Sequence, residues 1–578
     1  MSQSASPDKV ESGNLSSHAE KESAATITPS ADNPIYIQGW RLHAITAGLC
    51  MGLFLVNFEV TVVGTALVSI TNDLQDFAKS SWIVTAYLLT YTGMVKSPAW
   101  HFHLVMPTSH TPLFYSNAEM LVWLGTGCLV IWARVSDFIG RKPACMFAFF
   151  IFAAFSGACG GAQSMTQLII FRVFQGIGGS GIYGLTTAML YELVPPPRYP
   201  LYTTYVMTLF AIAFALGPVF GGLITNRGVW RWVFLLNVPA AFLMMVLLFF
   251  VVPDGFPYHG RRAKAPRHSI KAFDFVGSFL TLAGIGLLIT GLEEAASDLA
   301  WVSSRVLGPL CASGVAWVLF LLSQWRASRP DSGIQPVFPW RFCQNRAIMG
   351  LFINTFMTGA VSVTCVVLIP LRYQTAGALS PLDAGVRLIL FSAVSPIGAI
   401  VAAMLCKKKR TPPLFVMLFG ALLQILGLVL VTTLAKPDDR DWPGLYGLQV
   451  CIGFGMGFAM GTATLLTPAI TERRDLAVAS AAVVQFRFLG GAVVLSTATA
   501  VGNSWIRSVL AGILSPEQLM SLFRSTETIN SLEHQLQDEV RGHFVQSFNL
   551  QMRVVLGVAV AAFLSATMMW KHPQIRVP

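Results

Sequence analysis

Few charged side chains lie inside long apolar stretches of the sequence, and the clearest are Glu59, Arg172 and Arg487. A charge at the centre of a membrane span costs about 2.5–3.5 kcal/mol even on the lenient insertion scale, so such residues are expected to face the protein interior and to serve a function. A carboxyl group in that setting can bind and release a proton. We therefore interpret Glu59 as a proton-binding group rather than half of a static ion pair. Arg487 fits a functional role as well as simple pairing or capping of backbone carbonyls.

The composition predicts a membrane protein that positions these charges on spanning helices. Charged residues make up only 12% of the 578 residues and hydrophobic residues 54%, whereas a soluble protein carries roughly 25% charged residues. The apolar residues come in blocks, and about 20 of them cross the hydrocarbon core as one helix. The net charge of +11 falls in alternate loops, so no nucleic-acid partner is predicted.

The apolar stretches predict an all-α, polytopic protein with fourteen transmembrane helices. The second of them is split into 80–93 and 128–133. The other stretches are 42–66, 144–162, 166–191, 201–225, 231–252, 274–292, 306–325, 347–371, 384–405, 413–434, 444–468, 478–501 and 550–570. The polar residues 1–41 predict a disordered cytosolic tail.

The distribution of charge over the loops predicts the orientation. Cations are concentrated in one set of alternate loops, around 134–142, 261–271 and 407–410, while the opposite short loops hold acids such as Asp73 and Glu293. Because Lys and Arg accumulate in cytoplasmic loops, both termini are expected in the cytoplasm. The protein is expected in the plasma membrane, with the vacuolar membrane as the alternative.

Two polar segments interrupt this pattern. Residues 503–548 predict a long outer loop that can form an amphipathic helix on the membrane surface. Residues 94–127 break the second span with prolines and histidines, and irregular backbone is not tolerated in hydrocarbon. Joining Gly93 to Cys128 restores a span of normal length. We hypothesise that 94–127 is a translated intron; the alternative is a genuine outer-facing or re-entrant insertion.

A short charged turn joins the second and third spans. It contains Asp137, Gly140, Arg141 and Lys142, in which Gly140 permits the tight turn and the cations face the cytosol. The turn resembles the loop signature between spans 2 and 3 of the major facilitator superfamily. The resemblance implies a transporter of small molecules in which Asp137 pairs with a cation in one conformation only and so acts as a latch. The other interpretation is that the charges only hold the loop inside.

Two further motifs resemble the fourteen-span drug:proton antiporters of that superfamily, which include fungal toxin-efflux pumps. The first span contains Asn57–Leu67, with Glu59 where Asp is more usual, and the fourth contains Arg172. The resemblance implies that Glu59 and Arg172 couple transport to protons. Three polar residues are weaker candidates for the substrate cavity: Gln175, Gln374 and Arg487.

The fifth span carries the antiporter motif of that family, with Gly217, Pro218, Gly221 and Gly222. Pro218 removes one helix hydrogen bond and the glycines allow close helix approach. The resemblance implies a gating role, and the alternative is a packing kink with no effect on direction.

Cofactor and enzyme chemistry are not predicted. Gly176, Gly178 and Gly181 match the dinucleotide fingerprint in form, but that fingerprint needs a preceding strand and a βαβ unit. No Walker sequence occurs, nine scattered cysteines show no metal-ligand spacing, and no nucleophile–base–acid set stands out.

These features together predict a proton-coupled antiporter. Two six-helix bundles, 42–252 and 347–578, are expected to rock around a central cavity, with two additional helices in the linker 253–346. Its partners are expected to be a small organic toxin, drug or secondary metabolite, protons and the lipid bilayer, and the protein is expected to be a monomer. The alternatives are a siderophore-like proton-coupled importer, a vacuolar basic amino acid transporter and, from another class, a non-transporting membrane sensor.

Overall fold

The computed structural model describes most of the chain. The described residues are 37–90, 132, 136, 139–195, 198–254, 256, 274–297, 301–329, 332–334, 336–408, 411–434, 443–472 and 475–575. The segment 94–127, for which the sequence suggested an intron, lies outside them, and so do most of the tail 1–41 and Asp137.

Fourteen membrane helices can be followed through the described residues, and we number them α1 to α14. They are α1 Trp40–Asp73, α2 Ser80–Leu89, α3 Arg141–Gly160, α4 Met165–Glu192, α5 Tyr199–Thr225, α6 Asn237–Val251, α7 Phe275–Ser297, α8 Ser304–Ala327, α9 Arg346–Thr375, α10 Pro381–Lys408, α11 Pro413–Leu434, α12 Gly444–Ile470, α13 Leu476–Leu510 and α14 His534–Thr567. Thirteen described helices are long and apolar enough to cross a membrane, and α2 is the described part of the split second span. The predicted all-α, polytopic fold is confirmed.

The helices form two bundles joined by an additional helix pair. Helices α1–α6 pack on one another, as do α9–α14, and α7 packs on α8, α13 and α2. The bundles meet where α1 contacts α9, α5 contacts α10 and α2 contacts α13. We call the side on which α1 begins the near end and the side on which it ends the far end.

The segment after α13 differs from the prediction. The sequence predicted a polar outer loop over 503–548, but 503–510 belong to α13 and 534–548 to α14. Hydropathy reports polarity and not helix ends, so these polar turns resemble a loop in the sequence. Only 511–533 connect the two helices, and they contain a short helix, Pro516–Arg524, with a Ser515–Gln518 capping box. Asn72 at the end of α1 accepts the Thr526 backbone N–H at 3.0 Å.

Candidate functional site

Glu59 lies in the middle of α1 and is fully buried in the first bundle. Its carboxylate accepts hydrogen bonds from three neighbours. Arg172 Nη1 of α4 and Gln175 Nε2 (3.2 Å) donate to Oε1, and Asn237 Nδ2 of α6 donates to Oε2 at 2.5 Å. Helices α1, α4 and α6 therefore meet at a single carboxylate.

Arg172 is the counter-ion of Glu59 and is also fully buried. Its guanidinium donates to Ile83 O at 2.9 Å and to Gln175 Oε1 at 2.7 Å. The Tyr87 ring of α2 lies 4.4 Å from its Cζ, which is a distance for cation–π attraction. A buried charge is tolerated only with a partner and with hydrogen bonds, and this environment provides both for the Arg172 guanidinium beside Glu59.

The polar network extends one shell further. Gln175 Nε2 also donates to Ser156 Oγ of α3 at 2.7 Å. Asn237 Oδ1 is buried and has no hydrogen-bond partner among the described residues. A primary amide presents a donor and an acceptor that exchange places when it rotates by half a turn. Asn237 can therefore donate to a Glu59 carboxylate or accept from a protonated Glu59 carboxyl.

The hydrogen-bond network around Glu59 can accommodate both the ionised and the protonated carboxyl with only a rotation of the Asn237 amide. In the charged state, Glu59 and Arg172 neutralise each other, and the amides complete the hydrogen bonds of the carboxylate. In the protonated state, Asn237 can accept the new O–H, and the charge on Arg172 loses its partner. Protonation of Glu59 would therefore change the charge balance of the bundle interior.

The charged turn before α3 is tied to other helices at the near end. Gly140 has φ +96°, a conformation that favours glycine. Arg141 pairs with Glu192 at the end of α4, with Nη2 and Oε1 2.9 Å apart. Lys142 pairs with Asp254 after α6 at 2.8 Å. The predicted latch residue, Asp137, lies outside the described residues, so its latch role stays a prediction.

The two ion pairs of this turn are expected to differ in energy. Arg141 donates to both carboxylate oxygens of Glu192, and charged hydrogen bonds of this kind contribute about 1.5–3 kcal/mol. The Asp254 side chain is 94% exposed, and exposed pairs contribute about 0–1 kcal/mol. Thermal unfolding in detergent should therefore show a clear loss of stability for Arg141→Ala and almost none for Lys142→Ala. Equal losses would contradict this assignment.

The glycines of the fifth-span motif allow α5 to pack closely against two different helices. A Cβ on Gly217 would lie 2.7 Å from Thr61 Cβ, and one on Gly221 would overlap Val62 O, so both allow α5 to approach α1. Gly222 instead faces the second bundle, where its Cβ would lie 2.7 Å from Leu382 Cα of α10.

Pro218, the fourth motif residue, lies inside α5 and belongs to the same contact between the bundles. A Cβ on Gly385 of α10 would overlap the Pro218 carbonyl. The motif therefore lies where the two bundles touch at the far end.

The three predicted cavity residues lie in different places. Gln175 is fully buried in the Glu59 network. Gln374 of α9 donates to Thr65 O of α1 at 3.0 Å, and so links the two bundles at the far end. Arg487 of α13 is partly exposed and makes no hydrogen bond or ion pair within the described part of the chain. Its neighbour Phe488 meets Tyr183 of α4 edge to face, with ring centroids 6.2 Å apart.

Sequence reasoning assigned no role to Asn237, Ser156 or Glu293. Asn237 and Ser156 are uncharged, so hydropathy does not distinguish them from other small polar residues in a span. Glu293 was placed in an outer loop, but α7 continues to Ser297 and buries it completely. The three hydroxyl groups that hydrogen-bond to it are distant in sequence, so only the fold brings them together.

Comparison with known proteins agrees with this architecture. Residues 120–495 match the sequence model of the Major Facilitator Superfamily. The chain is 35% identical over 548 residues to MFS-type transporter FPY5 of Fusarium mangiferae, covering 94% of this chain and 86% of that one. It is 24% identical to Efflux pump bfoC of Aspergillus brasiliensis, covering 98% and 94%.

A crystal structure of a D-xylose-proton symporter superposes with a TM-score of 0.54 at 15% identity, covering 93% of this chain and 98% of that one. That likeness concerns the fold alone. Together with the sequence matches and the thirteen candidate spans, it shows that this chain belongs to the major facilitator superfamily and is a multi-pass membrane transporter of small molecules.

Proposed function

We propose that this protein is a proton-coupled antiporter that exports small organic molecules, such as toxins or secondary metabolites, from the cytosol. The observation that carries the proposal is the fully buried Glu59–Arg172 pair with its amide shell. A carboxyl group that binds a proton in one conformation and releases it in another couples the flux of protons to the flux of substrate. The near end, where the cationic loops lie, would face the cytoplasm.

The contacts between the bundles describe one state of such a cycle. Near the far end, Gln374 binds Thr65 O, Gly222 packs on α10, and Gly385 packs on the Pro218 carbonyl. In the proposed cycle, these contacts keep the far end closed. We infer that the opposite state breaks them and opens the space between the bundles outward, as expected for rocking of two bundles around a fixed site.

The proton gradient supplies enough energy for export. One charge crossing 100 mV releases about 2.3 kcal/mol, and one pH unit adds about 1.4 kcal/mol. Together they sustain a gradient on the order of several hundredfold for a neutral substrate exchanged for one proton.

Two observations support export as the direction of transport. The fifth-span motif resembles that of exporters, and one relative is named an efflux pump. The same fold also carries a protein described as a D-xylose-proton symporter, so the fold alone does not determine direction. We propose the plasma membrane as the location and a monomer as the working unit.

The proposal can be tested in a yeast strain that lacks its own drug pumps. Cells expressing the protein should accumulate several-fold less of at least one compound in a panel of fluorescent dyes and fungal toxins than control cells. A protonophore should abolish the difference, because the driving force is then lost. Increased accumulation that the protonophore also abolishes would indicate import. Dye concentrated in the vacuole would refute the plasma-membrane location.

A further inference from the structure

A second buried carboxyl group lies outside the Glu59 network. Glu293 is near the far end of α7, one of the two additional helices, and its side chain is completely buried. Helix α7 packs on α2 of the first bundle and on α13 of the second. Glu293 therefore lies where an additional helix meets both moving parts.

Hydroxyl groups from both bundles surround this carboxyl. Ser81 Oγ donates to Oε2 at 2.6 Å, and Thr85 Oγ1 donates to Oε1 at 2.9 Å, both from α2. Ser496 Oγ of α13 donates to Oε1 at 2.6 Å. Unlike Glu59, Glu293 makes no ion pair with any cation in the described part of the chain.

The hydroxyl shell can serve either protonation state. Thr85 Oγ1 lies 3.0 Å from Ser81 O, and Ser496 Oγ lies 2.9 Å from Ala492 O. When these hydroxyls donate to the backbone carbonyls, their oxygens are free to accept a hydrogen bond from the O–H of a protonated Glu293. When Glu293 is ionised, the same hydroxyls can turn and donate to it, but they do not neutralise its charge, so the carboxylate also needs water. A hydroxyl acts as donor and acceptor by rotating about a single bond.

The surrounding charges do not neutralise Glu293. Several titratable groups lie on α7 near Glu293 or on the elements packed against α7. They are Glu294 of α7, Tyr87 of α2, Lys79 before α2, Arg305, Cys311 and Arg326 of α8, and Arg487 and Arg507 of α13. Lys79 pairs with Asp76 at 2.7 Å, and Arg507 donates to Ser297 O at 3.1 Å. The like charge of Glu294 disfavours an ionised neighbour. A dry carboxylate without a counter-ion is strongly disfavoured, so the closed far end favours the protonated form.

We propose that Glu293 is a second proton-binding group, which clamps α2 and α13 together when protonated and releases them when it loses the proton. In the closed state, the carboxyl O–H donates to one hydroxyl oxygen and accepts from the others. When the far end opens, water reaches the carboxyl, the O–H bond breaks, and the proton leaves as hydronium. The resulting carboxylate is stable only while hydrated, so closing requires a proton to bind again.

Proton binding at Glu293 can be tested without a substrate and does not depend on the proposed function. The role of Glu293 in transport does depend on the proposed function. The experiment is infrared difference spectroscopy of the purified full-length protein as the pH is changed. Wild type should show a hydrogen-bonded C=O band of a protonated carboxyl at neutral pH. Glu293→Gln should lose that band, while the matched variants Glu294→Gln and Glu59→Gln should keep it.

Two results would overturn the proposal: a wild-type spectrum without the band, or a Glu293→Gln spectrum that retains it. If Glu293→Gln does not fold, Ser496→Ala and Thr85→Val provide the test, because each removes one hydrogen-bond partner. They should shift the band without removing it, and an unshifted band in both variants would overturn the proposal.

The clamp itself is tested in proteoliposomes with a transported dye. Glu293→Gln stays neutral at every pH, so its proton-driven flux should fall about tenfold or more, with dye binding unchanged. Normal flux together with loss of the band would refute the clamp. Absence of transport in wild type would contradict the proposed function and leave the infrared result standing.

Discussion

Replacing Glu59 by Gln is expected to lower the proton-driven concentration ratio of an exported dye from the order of several hundredfold to about one. Glutamine keeps the size of the side chain and the hydrogen bond from Arg172, but it cannot bind a proton. The variant should still exchange labelled for unlabelled dye across the membrane. The measurement compares driven accumulation and exchange in the same proteoliposomes.

Folding needs its own control, because Glu59→Gln leaves Arg172 charged in a dry interior. Removing one partner of a buried pair typically costs about 3–5 kcal/mol. The double variant Glu59→Gln/Arg172→Gln removes both charges and should recover stability without recovering driven accumulation. Glu59→Asp keeps a carboxyl and should retain some coupling. Full coupling in a folded Glu59→Gln protein would remove Glu59 from the mechanism.

The second large effect is expected at the contact between the bundles. Gly222→Ala adds a methyl group against the α10 backbone, and Gly385→Ala adds one against the Pro218 carbonyl. Overpacking of this kind costs about 1–3 kcal/mol, which shifts a two-state equilibrium by about 5–150-fold. Both variants should therefore favour the state that is open at the far end and should slow turnover.

A cysteine introduced as Gln374→Cys reports this shift, because Gln374 lies in the closed contact with Thr65. The rate of its reaction with a membrane-impermeant maleimide should be higher when Gly222→Ala or Gly385→Ala is also present. Labelling of the parent protein without this cysteine is subtracted. Gly557→Ala is the matched control, since a Cβ there meets nothing within 4 Å. Gly221→Ala should instead disturb the α1–α5 contact inside the first bundle and reduce stability. Equal labelling in all backgrounds would contradict the assignment of Gly222 to the contact between the bundles.

The fold was largely predictable because a long apolar stretch has one stable conformation in a bilayer. That conformation is a helix, in which the backbone N–H and C=O groups hydrogen-bond to one another. The prediction failed where polarity and helix ends diverge. Residues 534–548 are polar, yet they form the first turns of α14. Such turns project beyond an apolar core, and hydropathy alone cannot distinguish them from a loop.

The candidate site was predictable only in part. Glu59 and Arg172 stand out because a charge in an apolar stretch is expensive, and they contact each other as expected of such residues. Glu293 is equally buried, but Glu294 follows it at the end of an apolar stretch, so the pair resembled an acidic loop. Its stabilising partners, Ser81, Thr85 and Ser496, are ordinary polar residues until the fold brings them together.

The central claim is that protons and substrate move in opposite directions through one protein. The most direct measurement uses the purified protein in liposomes with the membrane potential clamped and a pH difference imposed, while dye flux and internal pH are recorded together. We expect dye to accumulate on the acidic side as protons flow to the alkaline side, and both fluxes to disappear in Glu59→Gln. Dye that moves in the same direction as the protons, or that ignores the pH difference, would contradict the account.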